Sequence, residues 1–184
     1  MLTRSTVERA AEEYREEEPL YPVEQEGVET LPAALSAGDF GRRDAEWVVR
    51  WYYRRSLGAM PNAERRAAEE RFQRNDFETV LEAVTDAADA AGAAEALEAL
   101  TSLEGVDVPV GSAFLFFLDP DRYVVVGERE WTVLEAHDEL EESYPDPPSV
   151  EEYERYLERC RSVTERLDCD LWTLYRGLWR LATT

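Results

Sequence analysis

His137 is the only histidine in the chain, so a Ser-His-Asp or Cys-His nucleophilic arrangement would have to run through that one imidazole. It stands in "LEAHDELEES", a polar helical stretch where a solvated surface histidine is expected. Cys160 and Cys169 lie nine apart and, with one histidine, make no ligand set for zinc or an iron–sulfur cluster. No metal and no cofactor is therefore expected. Both cysteines read as packing residues, because a reducing compartment disfavours a disulfide between them. Lysine is absent altogether, which excludes Schiff-base chemistry by a lysine amine. Carboxylates, arginines and aromatics are what remain to do chemistry.

Two places concentrate them. Residues 41–74 hold nine arginines against five acids, and "EWVVRWYYRR" interleaves aromatics with arginine. That composition suits a surface that stacks bases and grips phosphates, with Arg54 and Arg55 the best phosphate contacts at a helix end. Its competing reading is a core of Trp47, Trp51 and Tyr52 with the arginines paired to nearby carboxylates. The second place is "LTSLEGVDVPVGSAFLFFLDPDRYVVVGEREW", Leu100 to Trp131. It reads as two helices around a tight turn, then an Asp-Pro stop and a short apolar run. Leu100, Leu103, Gly105, Val106, Gly111, Ala113, Phe114 and Leu115 fit the apolar, turn and small positions of a hairpin whose backbone N–H groups face a phosphate.

This segment resembles the helix-hairpin-helix family of base-excision DNA glycosylases, specifically over about residues 97–134 and more loosely through the last two helices. The resemblance implies an all-α bundle of DNA-glycosylase type with duplex DNA as partner. It also implies DNA contacts at Gly105, Val106, Asp107 and Gly111. Members of that family carry a second turn glycine, a catalytic Asp after the apolar run and, when bifunctional, a Lys in the second hairpin helix. Here these positions fall on Asp107, Gly127 and Pro109. Asp107 tolerates left-handed backbone but would turn a carboxylate toward the phosphate. Glu128, one residue beyond Gly127, is the candidate substitute acid; its competing role is a helix N-terminal carboxylate with no catalysis. Arg129 and Trp131 fall where the family has its base pocket, and either line a cleft or simply pack and pair.

Charge bears on the partner. Forty-one acids against twenty arginines give a formal net charge of −21, and isoleucine is absent as well as lysine. Taken alone, that acidity argues against nucleic acid and anionic membranes. The composition also resembles proteins of salt-loving archaea; in molar salt the screening length is about 3 Å and net charge says little about partners. No stretch has the length and apolarity of a membrane span or signal peptide, so a cytoplasmic location and no membrane partner are expected.

The elements that must position these residues are helical. Ser5 or Thr6 caps a first helix to about Glu17, and "EPLYPVEQEG" is a Pro-punctuated connector. A short helix from Leu31 to Ala37 ends at Gly38. Asp39 opens a helix to Leu57 closed by glycine, and Pro61-Asn62 opens a long one with a break near Asn75. Gly92 separates the first hairpin helix. Ser149 caps a later helix with Glu152 as capping box, and Tyr153, Tyr156, Leu157, Cys160 and Val163 form its buried face. Asp170 caps the last helix, where Trp172 and Trp179 belong to a core seam. Only "YVVV", 123–126, looks like strand. One all-α domain spans 1–184, with subdivisions at 1–38, 39–94, 95–134 and 149–184. Three functions fit: a catalytically degenerate glycosylase-like protein that binds DNA or senses damage, an active monofunctional glycosylase with a substitute acid, and a helical interaction or structural protein without DNA binding.

Overall fold

A computed structural model describes residues 1–55 and 60–182; the expected helix end at Leu57–Gly58 lies outside the described residues. Ten helices are found among them: α1 (Arg4–Glu17), α2 (Tyr21–Ala37), α3 (Arg42–Arg54), α4 (Asn62–Gln73), α5 (Phe77–Asp89), α6 (Ala93–Thr101), α7 (Val108–Leu118), α8 (Glu128–Ala136), α9 (Val150–Leu167) and α10 (Leu171–Ala182). The described residues contain no β-strand, so the fold class is all-α. None of their helices is long and apolar enough to cross a membrane.

The centre is α7. Its sequence VPVGSAFLFFL is apolar all round, and every residue from Pro109 to Leu118 is buried. A helix without a polar face has to be wrapped by others, and α2, α3, α5 and α6 pack around it. The N- and C-terminal helices α1 and α10 close against each other, tightly enough that a Cβ on Gly177 would stand 3.0 Å from the Val7 carbonyl oxygen.

Local signals explain most helix limits. Gly38 ends α2 with a left-handed φ of 66°, and Ser149 and Glu152 form the capping box of α9. The backbone N–H of Thr173 donates to Asp170 at the head of α10. The break near Asn75 separates α4 from α5. The buried face of α9 includes Tyr153, Tyr156, Leu157, Cys160 and Val163.

Four expectations need correction. The cap of α1 is Thr3, whose hydroxyl accepts from the Thr6 N–H at 3.3 Å, rather than Ser5 or Thr6. "EPLYPVEQEG" is mostly helix: Pro22 occupies the first turn of α2, where a missing N–H costs nothing, and Pro32 is carried inside it. Helix α3 starts at Arg42 instead of Asp39, because Asp44 reaches back to accept the Gly41 N–H at 2.8 Å. The apolar run 123–126 is buried but pairs with no strand. The Tyr153 and Tyr156 hydroxyls donate to the Val124 and Val125 carbonyls, each at 3.0 Å, and Tyr52 to Val126 at 3.4 Å. The Val126 N–H donates to Ser112 Oγ at 3.0 Å. Side chains of three helices thus satisfy a backbone that burial would otherwise leave unpaired.

Candidate functional site

The turn between α6 and α7 is built to be rigid. Gly105 has φ 76°, and a Cβ there would lie 2.7 Å from the Phe72 backbone nitrogen, so this glycine is required both for its conformation and for its contact with α4. Asn75 at the α4–α5 break clamps the turn. Its Nδ2 donates to the Phe72 and Glu104 carbonyls at 2.8 and 2.9 Å, and its Oδ1 accepts the Glu104 N–H at 3.0 Å. Val106 is buried. Gly111 lets α7 approach α6, since a Cβ there would meet Leu97 Cδ2 at 2.8 Å.

Asp107 does not need left-handed geometry: its φ is −93° and it is the N-cap of α7, accepting the Val110 N–H at 3.0 Å. A second turn glycine is unnecessary because a cap does its work. Although Asp107 is solvent-exposed, loss of solvation beside its neighbours pushes its carboxyl above the usual range, opposed by the Val110 N–H. Asp107→Ala is expected to lower unfolding free energy by about 1 kcal/mol in urea titration, and Asp107→Asn to stay close to the parent. A pocket of about 230 Å³ adjoins the turn, lined by Tyr53, Arg71, Gly105, Val106 and Asp107. Burial first, then Asp107, pushes the Tyr53 phenol up to about 12. Arg71 was not singled out by sequence, because only the packing of α4 on the turn distinguishes it from the other arginines of 41–74.

Adjacent arginines at the end of α3 separate completely. Arg54 is exposed, whereas Arg55 is buried. The Arg55 guanidinium stands over Trp51, Tyr52, Tyr175 and Trp179 at 4.8–5.6 Å, donates to the Tyr175 hydroxyl at 3.3 Å and pairs with Glu130 at 2.5 Å. Arg55 is therefore no phosphate contact: its charge is spent on a carboxylate inside the fold. Arg42 and Arg50 with Glu46, Arg65 with Glu69, and Arg74 with Glu104 are also paired, and Trp51 is core. Core packing with ion pairs thus accounts for most of the Arg-aromatic segment.

At the head of α8, Glu128 is exposed in the first turn. The buried acid is Glu130, fully enclosed. A Cβ at Gly127 would come within 2.7 Å of Glu130 Oε2 and 3.4 Å of Arg55 Nη2. The room that a side chain at 127 needs is already occupied by this ion pair. Glu130 escaped notice in sequence because nothing in "GEREW" tells which of its two glutamates faces inward. Arg129 and Trp131 part company: Arg129 lies over the Trp179 ring at 4.3 Å. Trp131 stacks on Tyr156 at 5.6 Å and donates its indole N–H to the Glu142 carbonyl at 2.7 Å. They do not share one pocket. His137 is half-buried at the C-cap of α8, and both cysteines are free.

The chain matches no known family model, no characterised protein and no solved structure.

Proposed function

We propose that this chain is a catalytically degenerate, glycosylase-like protein that acts by binding, with the turn pocket as its contact to the nucleic-acid backbone. The observation that carries the loss of catalysis is the filled space at Gly127. The carboxylate nearest to it among the described residues, Glu130, is enclosed and paired with Arg55. An acid that stabilises positive charge on a sugar has to reach that sugar, and an enclosed one does not. Binding is supported by the pocket that joins Tyr53, Arg71 and the Gly105 turn, with Arg54 exposed at the end of α3.

The test has two arms, with the fold verified by circular dichroism at each salt concentration. Duplexes carrying uracil, 8-oxoguanine or an abasic site are expected to undergo no excision or cleavage. Their binding should weaken with salt at a slope of about −2, and Arg71→Ala should reduce that slope by about 1. Excision that disappears in Glu128→Gln would replace this reading with an active enzyme. A second reading, a helical interaction protein without DNA binding, is favoured by the Asn75 clamp on Glu104 and by the Asp107 carboxylate at the pocket. Absence of DNA binding by the folded protein at its lowest stable salt selects it.

A further inference from the structure

The turn pocket gathers three groups with bonding capacity that the described residues do not use. Arg42, Arg50, Arg55, Arg65 and Arg74 all have carboxylate partners. Arg71, in the same segment, is exposed and has neither an ion pair nor a hydrogen bond among the described residues. Tyr53 is half-buried, and its hydroxyl has no hydrogen-bond partner among them. Tyr52 meets its ring edge-on, with centroids 5.4 Å apart. Asp107 uses Oδ1 to accept the Val110 N–H and forms no ion pair among the described residues. Its Oδ2 and the second lone pair of Oδ1 remain to accept from a ligand.

An aromatic ring, a cation and a carboxylate around about 230 Å³ suit a nucleotide better than a bare phosphate. The volume is below the roughly 300–1,000 Å³ of drug-sized sites, which fits one ring system with its sugar left outside. A phosphate alone gains from Arg71 and loses to Asp107, with Asp146 adding negative charge close by. A base turns that carboxylate to use. An ionised carboxylate only accepts, so it selects an edge with adjacent N–H donors. Guanine has two, N1–H and the N2 amino group. Adenine and cytosine set one amino group beside a ring-nitrogen acceptor, and thymine sets its single N–H between two carbonyls. Each of these three turns a repelling lone pair toward the carboxylate. Pairing with cytosine consumes both guanine donors, so only an unpaired guanine presents them.

We propose that the turn pocket takes the base of an unpaired guanine, with Asp107 on its N1–H and N2 amino group, the Tyr53 ring against the base and Arg71 on the adjoining backbone phosphate. This contact rests on the DNA-binding reading and adds a base preference to it. For a damage sensor the target is then concrete: a guanine left without its partner opposite an abasic site.

Fluorescence anisotropy with oligothymidylate carrying one central guanine, inosine, adenine or cytosine tests the contact, at the lowest salt where circular dichroism shows the chain folded. The guanine strand should bind about ten-fold more tightly than the adenine and cytosine strands, the effect of one charge-assisted hydrogen bond. Inosine, which lacks only the N2 amino group, should fall between them. Added salt should weaken every strand and leave the guanine-to-adenine ratio unchanged, because phosphate contacts set the salt slope and the base contact sets the ratio. Asp107→Asn keeps an N-cap but brings amide N–H donors against those of guanine, and should bring the ratio to about one. Fully paired duplexes with G·C or A·T at the same position should bind alike. Equal affinity for the guanine and adenine strands overturns the guanine contact and leaves DNA binding standing. So does a guanine preference that survives in Asp107→Asn. Absence of binding to every single strand also overturns the contact; the DNA-binding reading stands if the duplexes bind and falls with it if they do not.

Discussion

Arg55→Ala is expected to lower the unfolding free energy by about 3–5 kcal/mol, the range for removing one partner of a buried ion pair. The size of the effect comes from what remains rather than from what is lost. Glu130 has no exposure to solvent, so without Arg55 its carboxylate would be a buried charge with no counter-ion. The guanidinium also fills the space between four aromatic rings, and its removal leaves a cavity beside Trp51, Tyr175 and Trp179. Urea titration monitored by circular dichroism measures the change. The paired replacement Arg55→Met with Glu130→Leu should recover most of the loss, because apolar residues of similar volume need no desolvation offset. A double variant as unstable as the single one would show that cavity and packing, not the isolated charge, dominate.

Gly127→Asp puts an acid back where the glycosylase resemblance expects one, and it is expected to yield neither excision nor a stable protein. Its Cβ would stand 2.7 Å from Glu130 Oε2, closer than real Cβ contacts; that oxygen has no hydrogen-bond partner among the described residues, but it belongs to the carboxylate whose Oε1 is held by Arg55, so turning it away disturbs the ion pair. Overpacking of this kind costs about 1–3 kcal/mol, and the second carboxylate adds like-charge repulsion beside Glu130. Gly127→Ala separates the two effects: it should share the steric loss but be more stable than Gly127→Asp. Thermal melts of the three proteins, with excision assays on the same samples, check both parts. A Gly127→Asp protein that is as stable as its parent and excises bases would show that the glycine alone had silenced an otherwise intact enzyme.

These two residues also mark where sequence reasoning reaches and where it stops. Short-range chemistry is legible: "VPVGSAFLFFL" has no polar face and becomes the enclosed α7, and Ser149 with Glu152 caps α9 as their spacing says. The glycine-dependent turn at 105 and the close approach at Gly111 follow from the same local logic. Proline misled the reading of α2, because Pro22 sits in a first turn where the helix tolerates it and looks in sequence like a breaker. Arg54 and Arg55, and likewise Glu128 and Glu130, are distinguished only by about 100° of helical rotation per residue. Which of each pair turns inward depends on how α3 meets α8 and α10 across 75 and 120 positions of chain. Arg71 joins the turn pocket for the same reason, through the packing of α4.

The hydroxyls of Tyr153, Tyr156 and Tyr52 on the Val124, Val125 and Val126 carbonyls have a consequence for self-association. "YVVV" is the kind of β-prone, uncharged stretch that zips onto a copy of itself when its backbone is open. In the folded chain three phenols take the three carbonyls and one serine hydroxyl takes the Val126 N–H, so these groups are closed to another molecule. The tyrosines thus act as a stand-in strand that cannot be extended, and they keep this β-prone window silent for as long as α3 and α9 stay in place.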